Sequence, residues 1–212
     1  MEKDIYQLAE KQRLLAYKNP DSISKEYDAF LEKNNIYHSL NRKLFEKSLH
    51  GHIELCDGIL DIYKKTSLEN EKISLLEDLF VIGYDRNALV ELILFVFKSQ
   101  NRPSNLWEYG DLLYKIGNFN YLHDYLELVK DKSLGSDRQM LLLLLGKSKN
   151  KTVIPVLIEL LSDNSVCGHA LDALSNFSGN EIEESMLKYS KSDITWVRNI
   201  AKRYLDKTKK DN

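Results

Sequence analysis

The sequence predicts an all-α fold of stacked helical hairpins in one domain spanning residues 1–212. Three observations carry that expectation. Apolar residues recur at helical spacing along the chain, and no stretch alternates apolar with polar residues as a half-buried strand does. Breakers are sparse, with 3 Pro and 9 Gly among 212 residues, so long helices are seldom interrupted. The helices also recur: Ile82, Ile116, Leu145, Leu174 and Leu205 fall at one equivalent position, at intervals of 34, 29, 29 and 31. A period near that length with two helices per unit is the signature of stacked hairpins, each needing its neighbours to bury its apolar face.

A first helix is expected over Glu2–Lys18, with Ile5, Leu8, Ala9, Gln12 and Leu15 along one face. Asn19-Pro20-Asp21-Ser22 breaks it, because Pro cannot continue the hydrogen-bond ladder and Asp or Ser can cap the next helix. Tyr27, Phe30 and Leu31 form the apolar side of a second helix ending near Asn34-Asn35. Further helices are expected over Ser39–Leu49, Ile53–Lys65 and Glu71–Ile82, punctuated by Gly51 and Gly83. The first 70 residues read either as true repeats or as a divergent helical cap.

Asn87–Lys98 is apolar almost all round, which predicts a helix covered on both sides. Arg102-Pro103-Ser104-Asn105 is the next loop and cap. Helices follow over Leu106–Ile116, ended by Gly117, over Tyr121–Val129, and over Arg138–Leu145, ended by Gly146. Thr152–Leu161 carries Pro155 in its first turn, where a missing N–H costs little. Val166–Leu174, Glu181–Tyr189 and Trp196–Leu205 close the array, and Lys207–Asn212 reads as a frayed polar tail.

The later repeats resemble a known family. Asp193-Ile194-Thr195-Trp196-Val197-Arg198-Asn199-Ile200-Ala201, followed by Leu205, is similar to the D-x-x-V-R-x-x-A-x-x-x-L pattern of HEAT and HEAT-like repeats. Ile154–Leu161 with Asp163 looks like the first helix of such a repeat, and Val166–Leu174 like the second. The resemblance is clearest over residues 137–207. It implies a right-handed α-superhelix of the armadillo and HEAT kind, with second helices lining a concave side. Small bacterial proteins of this type resemble binding scaffolds more than enzymes.

Composition narrows the function. A formal net charge of -2 and a pI near 6.2 disfavour a general nucleic-acid binder. The longest apolar run, Met140–Leu145, is too short to cross a bilayer, and the N-terminus lacks the apolar core of a signal peptide. Cys56 and Cys167 make neither a disulfide framework nor a zinc pair. The expected protein is cytoplasmic, with no membrane association.

Trp107 and Asp111 lie one helical turn apart on what aligns as a second helix, with Tyr114 beside them. An aromatic with a carboxylate suits a partner-binding groove, and it suits still better a Trp packed between repeats with a solvated or capping Asp. The pair also resembles, weakly, the HEAT-like DNA-alkylation-repair glycosylases, which hold a damaged nucleotide with aromatics and stabilise a cationic sugar with Asp. Arg138 and Trp196 match that site by type. Arg138 and Arg198 also fit an internal Asp–Arg ladder between repeats, with Asp137 and Asp193 as expected partners, while keeping a face toward an acidic partner. His169 reads as a packed or groove-lining residue. The five histidines lack metal-ligand spacing, and no phosphate loop or nucleophile motif is present, so no metal, cofactor or catalytic residue is expected. The expected function is a non-enzymatic scaffold holding a protein partner on the concave face through Trp107, Asp111, Tyr114, Arg138, His169, Trp196 and Arg198. A glycosylase or damaged-DNA binder is the alternative.

Overall fold

The computed structural model of the chain describes residues 25–36 and 42–211. Among the described residues there are twelve α-helices, short 3₁₀ segments and no β-strand, as the apolar periodicity requires. The expected helix Glu2–Lys18 and the break at Asn19–Ser22 lie outside the described residues, as does the start of the helix expected from Ser39. The chain divides into two compact units, Met1–Leu89 and Val90–Asn212.

In the first unit, α1 (Lys25–Lys33) and α4 (Glu69–Ile82) pack on α3 (Cys56–Lys65), and α2 (Arg42–Leu49) packs on α4. Leu31, Phe45, Leu49, Ile59, Leu76 and Leu79 are fully buried between them. Gly83 ends α4 because its φ of 99° is open to glycine and strained for other residues. The turn after α2 is tied to the end of α4 by Gly51 N–H donating to Ile82 O at 3.2 Å.

Among the described residues two charged groups are buried in this unit, Glu71 and Asp78, and Asp78 is the deeper. Asp78 is 1% exposed. Tyr27 Oη donates to Asp78 Oδ2 at 2.7 Å, and Arg42 Nη1 lies 2.8 Å from Asp78 Oδ1. Glu46 pairs with the same guanidinium at 2.9 Å and Glu77 at 3.7 Å. Burial raises the Asp78 carboxyl to about 6, with Arg42 and Tyr27 pulling the other way.

The second unit begins within α5 (Arg86–Lys98), which Asp85 caps by accepting from Ala88 N–H at 2.7 Å. Then come α6 (Leu106–Ile116), α7 (Leu122–Lys130), α8 (Gln139–Lys147), α9 (Ile154–Glu159), α10 (Cys167–Leu174), α11 (Asn180–Tyr189) and α12 (Thr195–Asp211). Helices α6, α8, α10 and α12 pack in series, each on the next. Helix α7 lies on α8, α9 on α10, and α11 on α12. Ile82, Ile116, Leu145 and Leu174 are buried, and so are Leu112, Leu141, Ala170 and Ala201 one turn earlier, so these aligned positions are core positions; Leu205, the last of the set, is half-buried.

The polar loops repeat as well. Asp131 and Asp163 each accept from the backbone N–H and hydroxyl of the serine two residues on. An arginine clamps each loop: Arg102 reaches Asp131 and Ser133, and Arg138 reaches Asp163 and Ser165. Asn118 and Asn150 open the following 3₁₀ turns by accepting from Asn120 and Thr152 N–H.

Four expectations need correction. Gly146 does not end its helix; α8 runs through it to Lys147. Its role is close packing, since a Cβ there would lie 2.7 Å from Ala173 Cα. The tail expected from Lys207 continues α12 to Asp211, because no Gly or Pro interrupts the ladder. Helix α5 is not covered on both sides: Phe95 is 74% exposed. The Arg138 ladder uses Asp163, not Asp137.

Candidate partner-binding surface

Successive second helices in the Val90–Asn212 unit present one outward row each. On α6 the row is Trp107, Asp111 and Tyr114, which the 3.6-residue period brings onto one face. On α8 it is Leu143 and Lys147, on α10 it is His169 and Asp172 with Asn176 just past the helix end, and on α12 it is Trp196, Arg203 and Lys207 around the buried Ile200. Trp107 is 42% exposed, so it does not fill the core between helices. Asp111 is half-buried and paired with Lys115 at 2.9 Å on its own helix.

Trp196 is 47% exposed, and its inner edge rests on Gly168. A Cβ on Gly168 would lie 2.1 Å from the Trp196 ring, so only glycine leaves it that seat. The ring meets His169 edge-on at 5.4 Å. Burial pushes the His169 imidazole below its ordinary value, partly offset by Asp172.

Beside Trp196 the surface opens into two adjoining clefts that share Asp172, Ile200 and Arg203. The first, about 730 Å³, runs under Trp196, Asn199 and Asp206. The second, about 470 Å³, extends to Tyr114, Lys147, Lys149, Asn176 and Lys207. Lys147 Nζ donates to Tyr114 O at 3.0 Å and sits 4.7 Å above the Tyr114 ring. Lys149 Nζ donates to Asn176 O and Oδ1 at 3.3 and 3.1 Å. Both ammonium groups therefore cap carbonyl-rich helix ends, where cations are favoured.

Two expected site residues face elsewhere. Arg138 is 1% exposed, and its guanidinium is consumed internally by Val129 O, Gly135 O, Ser165 Oγ and Asp163 Oδ2. It has no surface to offer a partner, because a buried cation is held only by saturating its donors. Arg198 folds back on its own loop, donating to Ser192 O at 2.6 Å and to Thr195 Oγ1 at 3.2 Å. Trp107 lies on α6 and Trp196 on α12, with α8 and α10 between them in the packing series. Among the described residues no group of His, Cys, Asp and Glu could hold a metal ion. Among the described residues no helix is long and apolar enough to cross a membrane.

The cationic side of the cleft is what sequence reading missed. Lys147 and Lys149 follow a glycine that reads as a helix end, and Lys207 opens what reads as a frayed polar tail. The alignment held the signal: Tyr114, Leu143, Asp172 and Arg203 are equivalent, as are Asn118, Lys147, Asn176 and Lys207. Compared with protein families, curated proteins and solved structures, the chain matches none.

Proposed function

We propose that this protein is a non-enzymatic binding scaffold whose second unit, Val90–Asn212, is a HEAT-like helical-repeat array that holds a protein partner on the outward rows of α6, α8, α10 and α12. The observation that carries the reading is Trp196, a large aromatic left half-exposed at the edge of the paired clefts and braced by Gly168 and His169. A rigid aromatic beside mixed polar groups is the usual anchor of a protein interface. Serial packing of the second helices, with core positions repeating at equivalent residues, supports the repeat-array part. By analogy with such arrays, the outward rows are the concave side, and the cytoplasm is the location that goes with this reading. The burial of Arg138 and the separation of the two tryptophans favour the scaffold over the glycosylase.

The test is affinity capture from the source cells with wild type and with Trp196→Ala, alongside Phe95→Ala as an exposed aromatic outside the rows. The expected result is a specific protein lost with Trp196→Ala and retained with Phe95→Ala. Capture unchanged by Trp196→Ala would remove the surface. Release of base from an alkylated duplex by the wild type would replace the scaffold with the enzyme.

A further inference from the structure

We propose that the cleft bounded by α8, α10 and α12 takes an acidic peptide segment of the partner. The inference rests on the scaffold reading and specifies what the partner presents.

Charge is the first ground. The chain carries a net charge of -2, yet the adjoining clefts gather Lys147, Lys149, Lys202, Arg203 and Lys207 around two carboxylates, Asp172 and Asp206. Three exposed cations elsewhere in this unit lie beside acids, in Lys98–Asp124, Arg102–Asp131 and Lys115–Asp111. Among the described residues Arg203 and Lys207 take no ion-pair partner. A local excess of one sign on a protein of opposite net charge steers a complementary ligand to that place.

The backbone groups in the cleft select a peptide over other anions. Its rim holds the carbonyl ends of α6 and α10, where Lys147 and Lys149 sit on Tyr114 O and Asn176 O. Helix C-termini repel a small free anion but accept hydrogen bonds from peptide N–H groups. A peptide brings both kinds of group, carboxylates for the cations and N–H donors for the carbonyls. Single-stranded nucleic acid wants a run of free aromatic faces for its bases. Here Tyr114 lies under Lys147 and Tyr204 is buried, which leaves Trp196 without a second platform. Trp196, 47% exposed over the buried Ile200, instead gives an apolar seat for one side chain next to the acidic stretch.

The experiment measures fluorescence anisotropy of the full chain with three labelled probes: a peptide of repeated Glu and Leu, its Gln-for-Glu analogue, and a single-stranded oligonucleotide of matched charge. The Glu peptide should bind, weaken as salt rises, and lose about tenfold or more in affinity with Arg203→Glu/Lys207→Glu. Lys130→Glu on α7, outside the cleft, should leave binding unchanged. Both cleft residues are exposed, so the double variant should keep its helical circular dichroism; Arg203→Gln/Lys207→Gln supplies a milder second variant. Equal binding of the Gln analogue, indifference to both double variants, or no binding of any probe would overturn the proposal. Tighter binding of the oligonucleotide, lost with the same variants, would overturn it in favour of nucleic acid. The scaffold reading fails separately, through capture that ignores Trp196→Ala.

Discussion

Asp78 departs from the residues aligned with it in the sequence. Leu112, Leu141, Ala170 and Ala201, at the aligned positions, are buried and apolar. Here a carboxyl is held in the core by Tyr27 and Arg42, and burial raises it from 3.8 to about 6. Between those values the folded chain binds more protons than the unfolded chain. The Asp78 contribution is therefore fully present below about 4 and is lost as pH rises through about 6. The expected loss is on the order of 3 kcal/mol across that range. Urea unfolding of the wild type against Asp78→Asn over the same range should show the difference, since Asn does not titrate. Parallel pH profiles for the two proteins would mean that Asp78 is ionised in the fold throughout. Nothing in the spacing of Asp78 announces this: its apolar equivalents predict burial, and only the packing of α1 and α2 supplies the partners that make a buried carboxyl tolerable.

Two contrasts arise at the scale of helices and loops. Gly146 and Gly168 both allow close approach, but to different objects. At Gly146 an added Cβ meets the Ala173 backbone, at 2.7 Å from Cα and 2.8 Å from O, so α8 and α10 must separate. Gly146→Ala should cost about 1–3 kcal/mol in urea unfolding. At Gly168 the nearest obstacle is the far end of the Trp196 ring, which can rotate away, with the Val197 methyl behind it at 3.0 Å. Gly168→Ala should cost less than about 1 kcal/mol, yet shift Trp196 emission in a Trp107→Phe background. The Arg138 clamp joins the loop before α8 to the loop before α10 through hydrogen bonds to Asp163 and Ser165, with two more to Val129 O and Gly135 O on its own side. Arg138→Met should destabilise by about 3 kcal/mol, and Arg138→Lys should rescue little, because a point ammonium cannot reach acceptors arranged for a planar fork. The Asp-x-Ser spacing at Asp131 and Asp163, echoed by Asp193 and Thr195, is visible in the chain. Which arginine answers which aspartate is not, since Arg138 and Asp163 meet only once α8 and α10 are stacked.

Over the whole molecule, stability should follow how many neighbours each helix has. Helices α8 and α10 each pack between two others of the series, whereas α12 ends it. In arrays of this kind each unit is held by its neighbours, and terminal units open first. Hydrogen exchange should therefore be slowest at Leu141–Leu145 and Ala170–Leu174, and fastest in the last turns of α12 beyond Leu205. Uniform protection from α6 to α12 would indicate a single cooperative unit with no repeat behaviour.

Helical periodicity alone determined that the chain is all-α, roughly where its helices lie and which positions face the core. Those are local properties, written in the spacing of apolar residues and the placing of Gly and Pro. The tertiary structure decided which polar residues are spent inside and which remain for a partner. Arg138 and Arg203 look alike along the chain, yet one is saturated in the core and the other faces an open cleft. Exposure of a long charged side chain depends on residues 25 to 60 positions away, and no local pattern encodes that distance.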